Sequence, residues 1–265
     1  MNYQIAAVTD VGIKKTVNQD SLLIKVAESI KGPVALAVLC DGMGGLSLGE
    51  LASKTTIRAF SSWFQYQLPE LLENSFSIEH VKEKWDELIH KVVSSIRLYG
   101  IDNGLELGTT VTVLLMIKNR YLIMSVGDTR AYCVGKRVNQ ITIDHTLVQR
   151  EVQLGYLTEK EAKVDKRRHI LLQCIGASDQ IIPDYFEGTC LFNEFMLLCS
   201  DGFYHEIRDK ELLEQLKPTQ PSTEEELHQG LRTLINLAKA RKEQDNLSAI
   251  IIQPFVEKNT SNRGK

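Results

Sequence analysis

Aspartates recur in this chain where strand-like runs begin or end. Asp20 precedes the apolar segment of VNQDSLLIKV, Asp41 closes VALAVLC ahead of GMGG, and Asp128 follows LIMSVG. Asp201 follows FMLLCS and precedes Gly202, while Asp245 stands just ahead of NLSAII. One such aspartate is ordinarily a turn former, its carboxylate accepting from nearby backbone N–H groups. Repetition supports a second reading if the strand ends converge. Converging carboxylates raise one another's pKa unless cations hold them. Oxygen donors without a suitable His or Cys cluster suit a hard ion, Mg²⁺ or Mn²⁺. The neighbouring glycines let backbone carbonyls approach such an ion. Two ions about 4 Å apart can activate a bridging hydroxide at neutral pH. From the residues alone, the chemistry reached is that of a two-metal hydrolase.

The elements that must position these acids are short and β-branched. Strands are predicted at Tyr3–Val8, Ser21–Val26, Val34–Cys40, Thr110–Ile117, Tyr121–Val126, Arg130–Val134, Val138–Ile143, Ile181–Phe186, Phe195–Cys199 and Leu247–Ile252. Lys118–Arg120 and Gly135–Arg137 are too short for anything but hairpin connections, so antiparallel pairing is expected. Apolar residues at helical spacing mark three helices. One carries Leu48, Leu51, Ala52, Thr55, Ala59, Phe60 and Trp63. A second runs from Ile78 to Tyr99 through Trp85, and a third over Thr223–Lys242, with Thr223 and Glu226 fitting a capping box. The fold class expected is α+β, an antiparallel sheet core flanked by helices. One domain is expected over residues 1–255, with an inserted flap near 145–180 and a polar tail at 256–265.

The chain has 265 residues, 43% hydrophobic and 25% charged, the balance of an ordinary globular protein. A net charge of −3 gives no sign of a general nucleic-acid or membrane-surface binder. No apolar run approaches the roughly 18 residues of a membrane span, and MNYQIAAVTD does not read as a signal peptide. Five cysteines without a CxxC pair, several in apolar runs, read as buried thiols of a cytoplasmic protein.

In this order, the acidic segments resemble the PPM (PP2C-type) family of metal-dependent serine/threonine protein phosphatases. The segments are TDVGIKKTVNQD (Thr9–Asp20), LCDGMGG (Leu39–Gly45), GTTVTVLL (Gly108–Leu115), SVGDTRAY (Ser125–Tyr132), DHT (Asp144–Thr146), LLCSDGF (Leu197–Phe203) and DNLSAII (Asp245–Ile251). The style is that of bacterial members consisting of the catalytic domain alone. The resemblance implies an αββα sandwich of two packed antiparallel sheets. It also implies hydrolysis of phosphoserine and phosphothreonine by a hydroxide bridging two Mg²⁺ or Mn²⁺ ions. Asp41 would bridge the ions, Asp201 and Asp245 would complete the first site, and the Gly42 carbonyl and Asp20 would serve the second. Asp128 with Asp201 would hold a third ion. Asp41, Asp201 and Asp245 would be the catalytic set, and Lys15 would bind the substrate phosphate. Phosphorylated proteins, a cognate Ser/Thr kinase and its targets are the implied partners, and a monomer is expected.

Three positions depart from the family pattern. Lys15 stands where the family commonly has arginine, keeping the charge but losing the bidentate fork. Leu46 follows DGMGG in place of histidine. Asp165-Lys166 replaces a His-Pro pair in the flap, beside an Arg167-Arg168-His169 cluster that could meet an acidic phosphopeptide. His145 is expected to be structural. Two alternatives remain open: a pseudophosphatase acting as a phosphoprotein- or kinase-binding module, and a two-metal phosphoesterase for small phosphates.

Overall fold

The computed structural model describes residues 1–43, 48–74, 76–218 and 223–255. Leu46 and the predicted tail, 256–265, lie outside the described residues. Ten strands and eight helices are found among the described residues. The first sheet has the order β1-β10-β9-β6-β7, from Asn2–Asp10, Leu247–Phe255, Phe195–Cys199, Arg130–Val134 and Val138–Gln140. The second has the order β2-β3-β4-β5-β8, from Ser21–Ser29, Gly32–Cys40, Val111–Ile117, Arg120–Val126 and Asp184–Thr189. Every registered pair is antiparallel, as the short hairpins require.

Alternation along β3 shows how the layers are built. Val34, Leu36 and Val38 join Phe60, Trp63 and Trp85 under α1 (Gly49–Tyr66), α2 (Leu68–Asn74) and α3 (Ile78–Asn103). Ala35, Ala37 and Leu39 face the other way, into a core shared with Met196, Leu198 and Ile250 of the first sheet. Both faces are buried, so the strand reads as a continuous apolar run although its neighbours are antiparallel. The first sheet's outer face packs on α6 (Asp201–Tyr204), α7 (Asp209–Leu216) and α8 (Glu224–Ala240) through Leu197, Ala249, Leu231 and Leu234. Thr223 and Glu226 form the expected capping box on α8, worth about 1 kcal/mol. The result is the expected αββα sandwich.

Several strand boundaries differ from expectation, two of them for legible local reasons. The strand expected at Val138–Ile143 stops at Gln140. Beyond it, the Thr142 hydroxyl accepts from Ala131 N at 3.1 Å, where a ladder carbonyl would stand. The strand expected from Ile181 begins at Asp184, because Pro183 lacks an N–H to donate. Between β7 and β8 the chain carries only α4 (Leu147–Gln153), α5 (Glu159–Val164) and isolated bridges from Thr146 to Leu171 and from Thr109 to Ile175. No described helix is long and apolar enough to cross a membrane.

Candidate metal centre

The five aspartates meet at one end of the sandwich. Asp20 immediately precedes β2, Asp41 follows β3, Asp128 lies in the β5–β6 turn, Asp201 opens α6 after β9, and Asp245 lies in the approach to β10. The field at Asp41 carries the charges of Asp20, Asp201, Asp128 and Asp245. Burial, followed by these four neighbours, pushes the Asp41 carboxyl well above the usual range. Burial likewise raises Asp128, followed by Asp201 and Asp144. Asp20 is pushed up to about 7, with burial again the first cause, although Ser248 and Ser200 hydrogen bonds oppose it.

Asp201 behaves differently. Burial favours its neutral form, but the imidazoles of His169 and His205 outweigh this and hold the carboxyl below its ordinary value. Their Nδ1 atoms stand 3.8 and 3.9 Å from Asp201 Oδ2. Asp245 meets a cation directly, with Lys15 Nζ at 3.0 Å from Oδ1. Lys15 therefore reaches the acid cluster, at its half-exposed rim.

Backbone geometry holds the acids in place. The Asp41 carbonyl accepts from Thr110 N and Thr109 Oγ1, both at 2.9 Å, and Asp41 N donates to Thr110 Oγ1 at 3.1 Å. At Gly42 an added Cβ would lie 2.5 Å from Gly49 O and 2.7 Å from Gln19 O, so no larger residue fits. Gly12 takes φ +81° in close approach to Asp245 O, a conformation that favours glycine. Asn246 fastens the loop between β1 and β2. Its Oδ1 accepts from Gln19 N at 2.9 Å, and its Nδ2 donates to Val11 O and Val17 O at 3.0 and 3.2 Å. Ser200 Oγ donates to Asp20 Oδ2 at 3.0 Å and accepts from Ser248 N.

Two buried oxygens are left over: Asp20 Oδ1 and Asp201 Oδ1 have no hydrogen-bond partner. Leaving a buried acceptor unpaired costs about 1–3 kcal/mol, more if charged. Carboxylate oxygens, several of them buried, with a backbone that admits no side chain at Gly42 fit a hard divalent cation. The donor set therefore agrees with the ion type reached from the sequence.

Other predicted residues divide. His145 takes Gly127 N on Nδ1 at 3.3 Å and lies 3.0 Å from Asp184 Oδ2 through Nε2, so it bridges the β5–β6 turn to β8, a structural post. Arg167 is committed to Asp165 and Glu151, whereas His169 of the same cluster reaches Asp201. A cavity of about 890 Å³ opens beside the centre, lined by Arg130, Asp144, Arg168 and His205 among others. It adjoins the acids without containing Asp20, Asp41, Asp201 or Asp245. Sequence reasoning missed Asn246, Ser200 and His205. The Asn beside Asp245 was the one legible hint, since an amide with both donor and acceptor suits a loop anchor.

The family model described as Protein phosphatase 2C matches residues 12–236. Protein phosphatase PhpP of Streptococcus pneumoniae is 29% identical over 253 residues, which are 94% of this chain and 96% of the relative. The crystal structure of serine/threonine phosphatase Stp1 from Staphylococcus aureus superposes with a TM-score of 0.81 at 27% identity, covering 96% of this chain and 95% of that one. The catalytic domain of the serine/threonine protein phosphatase PstP, in complex with 2 manganese ions, gives a TM-score of 0.73 at 28% identity over 95% of this chain and 97% of that one.

Proposed function

The chain belongs to the protein phosphatase 2C family; it is a metal-dependent protein serine/threonine phosphatase, and we propose that the aspartate cluster is the seat of that activity. In this reading Asp41, Asp201, Asp245, Asp20 and the Gly42 carbonyl would hold two ions, Mg²⁺ or Mn²⁺, and Asp128 with Asp201 would hold a third. The observation that carries it is the pair of orphaned buried oxygens, Asp20 Oδ1 and Asp201 Oδ1, beside the crowded Asp41.

Ions held there would supply an activated water and neutralise charge on the transferring phosphoryl group, which is most of what such a reaction needs. The chain's own residues do the rest. Ser200 orients Asp20, Thr109 and Thr110 fix Asp41, and Asn246 holds the loop that carries Lys15. Lys15 leaves Asp245 for the substrate phosphate, acting as a point charge. His169 and His205 hold Asp201 ionised. The acid set is complete, and no observation favours the pseudophosphatase or small-phosphoesterase readings. The substrates in this reading are phosphorylated proteins, a Ser/Thr kinase of the same cell and its targets among them, met by a cytoplasmic monomer.

The test is phosphate release from a phosphothreonine peptide with Mn²⁺, with Mg²⁺ and with excess EDTA, with Asp201→Asn as control. Metal-dependent release that the control lacks is expected. Folded protein that releases no phosphate with either ion would sink the reading.

A further inference from the structure

At Cys133, near the opposite end of β6 from Arg130, a second group of ligand-type side chains meets. Cys133 lies on β6 of the first sheet, Cys190 directly follows β8 of the second, and Glu194 directly precedes β9. Their ligand atoms all lie within 4.8 Å of one another. Cys133 Sγ donates to Glu194 Oε2 at 3.4 Å, and the same oxygen accepts from Leu191 N at 2.9 Å. Cys190 is fully buried in the core between the sheets, while Cys133 and Glu194 keep partial access to solvent.

We propose that Cys133, Cys190 and Glu194 form a three-ligand zinc site that ties the two sheets together at their rim. A tetrahedral zinc ion holds thiolate sulfurs at about 2.3 Å and so about 3.8 Å from each other. Three atoms already within 4.8 Å reach that spacing by rotamer-scale movement. Two thiolates and one carboxylate match zinc, whereas Mg²⁺ and Mn²⁺ prefer oxygen alone. The site is thereby chemically distinct from the aspartate centre and stands independently of the phosphatase reading. Solvent access at Cys133 and Glu194 provides the entry path and a fourth, water ligand.

A disulfide between the same cysteines is the rival chemistry, and at Cys190 the surroundings oppose the thiolate that either chemistry starts from. Attack requires a thiolate. The Cys190 thiol is pushed up by its hydrogen bond to Cys133, by burial and by the charges of Cys133 and Glu194. A divalent cation reverses this balance, because a coordinating thiol is deprotonated outright and Glu194 turns from a repelling neighbour into a ligand.

The experiment is a cobalt titration of the reduced full chain, with the oxygen-ligand centre first saturated with Mg²⁺. A sulfur-to-cobalt charge-transfer band in the near ultraviolet is expected, saturating at one equivalent and abolished by added Zn²⁺. Cys133→Ser should lose the band while keeping Mn²⁺-dependent phosphate release, which shows that it is folded. Glu194→Gln should keep the band and weaken cobalt binding by roughly tenfold or more. No band in reduced wild-type protein, or a band that survives Cys133→Ser, overturns the site. So does recovery of the untreated protein with Cys133 and Cys190 joined as a disulfide.

Discussion

Among the described residues, two of the regions that bury polar atoms without hydrogen-bond partners stand in contrast. Under α1 and α3, Trp63 Nε1 and Trp85 Nε1 are unpaired, and the two rings meet edge-on with centroids 5.4 Å apart. At the strand ends, Asp20 Oδ1 and Asp201 Oδ1 are unpaired as well. The indoles are neutral donors sealed among aliphatic and aromatic side chains, and large aromatic burial offsets the lost bond. The carboxylates have no such offset, and three more aspartates crowd them. An orphaned polar atom is therefore no mark of a site by itself. Convergence of like charge is what separates the two regions.

Removing charge from the acidic region should abolish function without harming the fold. Asp41→Asn and Asp201→Asn are expected to lower metal-dependent phosphate release by about 10³-fold or more. In thermal melts the metal-free Asp41→Asn variant should be at least as stable as wild type. A large loss of stability there would erase the contrast. The aromatic region should answer in the opposite sense. Trp85→Ala is expected to cost about 3–5 kcal/mol in denaturant titration, with metal affinity of the folded fraction unchanged.

Between these extremes lies Asn246, buried yet fully bonded. Asn246→Ala should weaken manganese binding by roughly tenfold, read by calorimetry, with a smaller loss of stability than Trp85→Ala gives. The charge crowding can also be read through pH. Asp20 titrates at about 7 in the folded, metal-free protein and near 4 when unfolded. Its contribution to stability is then complete below about pH 4 and lost as the pH rises through 7. Denaturation of the metal-free protein from pH 5 to 8 should show that decline, and Asp20→Asn should make it shallower, with Asp41 and Asp128 supplying the remainder. The smallest effect expected is at Lys15, where Lys15→Arg should lower KM for a phosphopeptide a few-fold by restoring a bidentate grip. An unchanged or higher KM would remove Lys15 from the phosphate site.

The sandwich was legible because strand chemistry is local. Both faces of β3 are apolar, Lys118–Arg120 leaves room only for a hairpin, and Thr223 with Glu226 announces the start of α8. The acids were legible singly, since glycine and strand ends flank them, but their meeting is a tertiary fact that the resemblance to known phosphatases supplied. What stayed hidden was partnership across distance. Ser200 supports Asp20 from 180 positions away, His205 acts through Asp201, and Cys133 meets Cys190 and Glu194 only once two sheets have stacked. Such pairs leave no spacing in the sequence to read.

The nine-pair ladder joining β1 to β10, from Asn2 opposite Phe255 to Asp10 opposite Leu247, also bears on how the protein is made. A chain emerging from the ribosome can complete the second sheet once Thr189 is out, since all of its strands lie between Ser21 and Thr189. The first sheet cannot pair β1 until β10 arrives, and contacts of such long sequence separation form slowly. Asp245 comes with that last strand. A nascent chain thus carries Asp20, Asp41, Asp128 and Asp201 before it has the full acid set, and stays silent toward phosphoproteins until Asp245 and β10 have emerged.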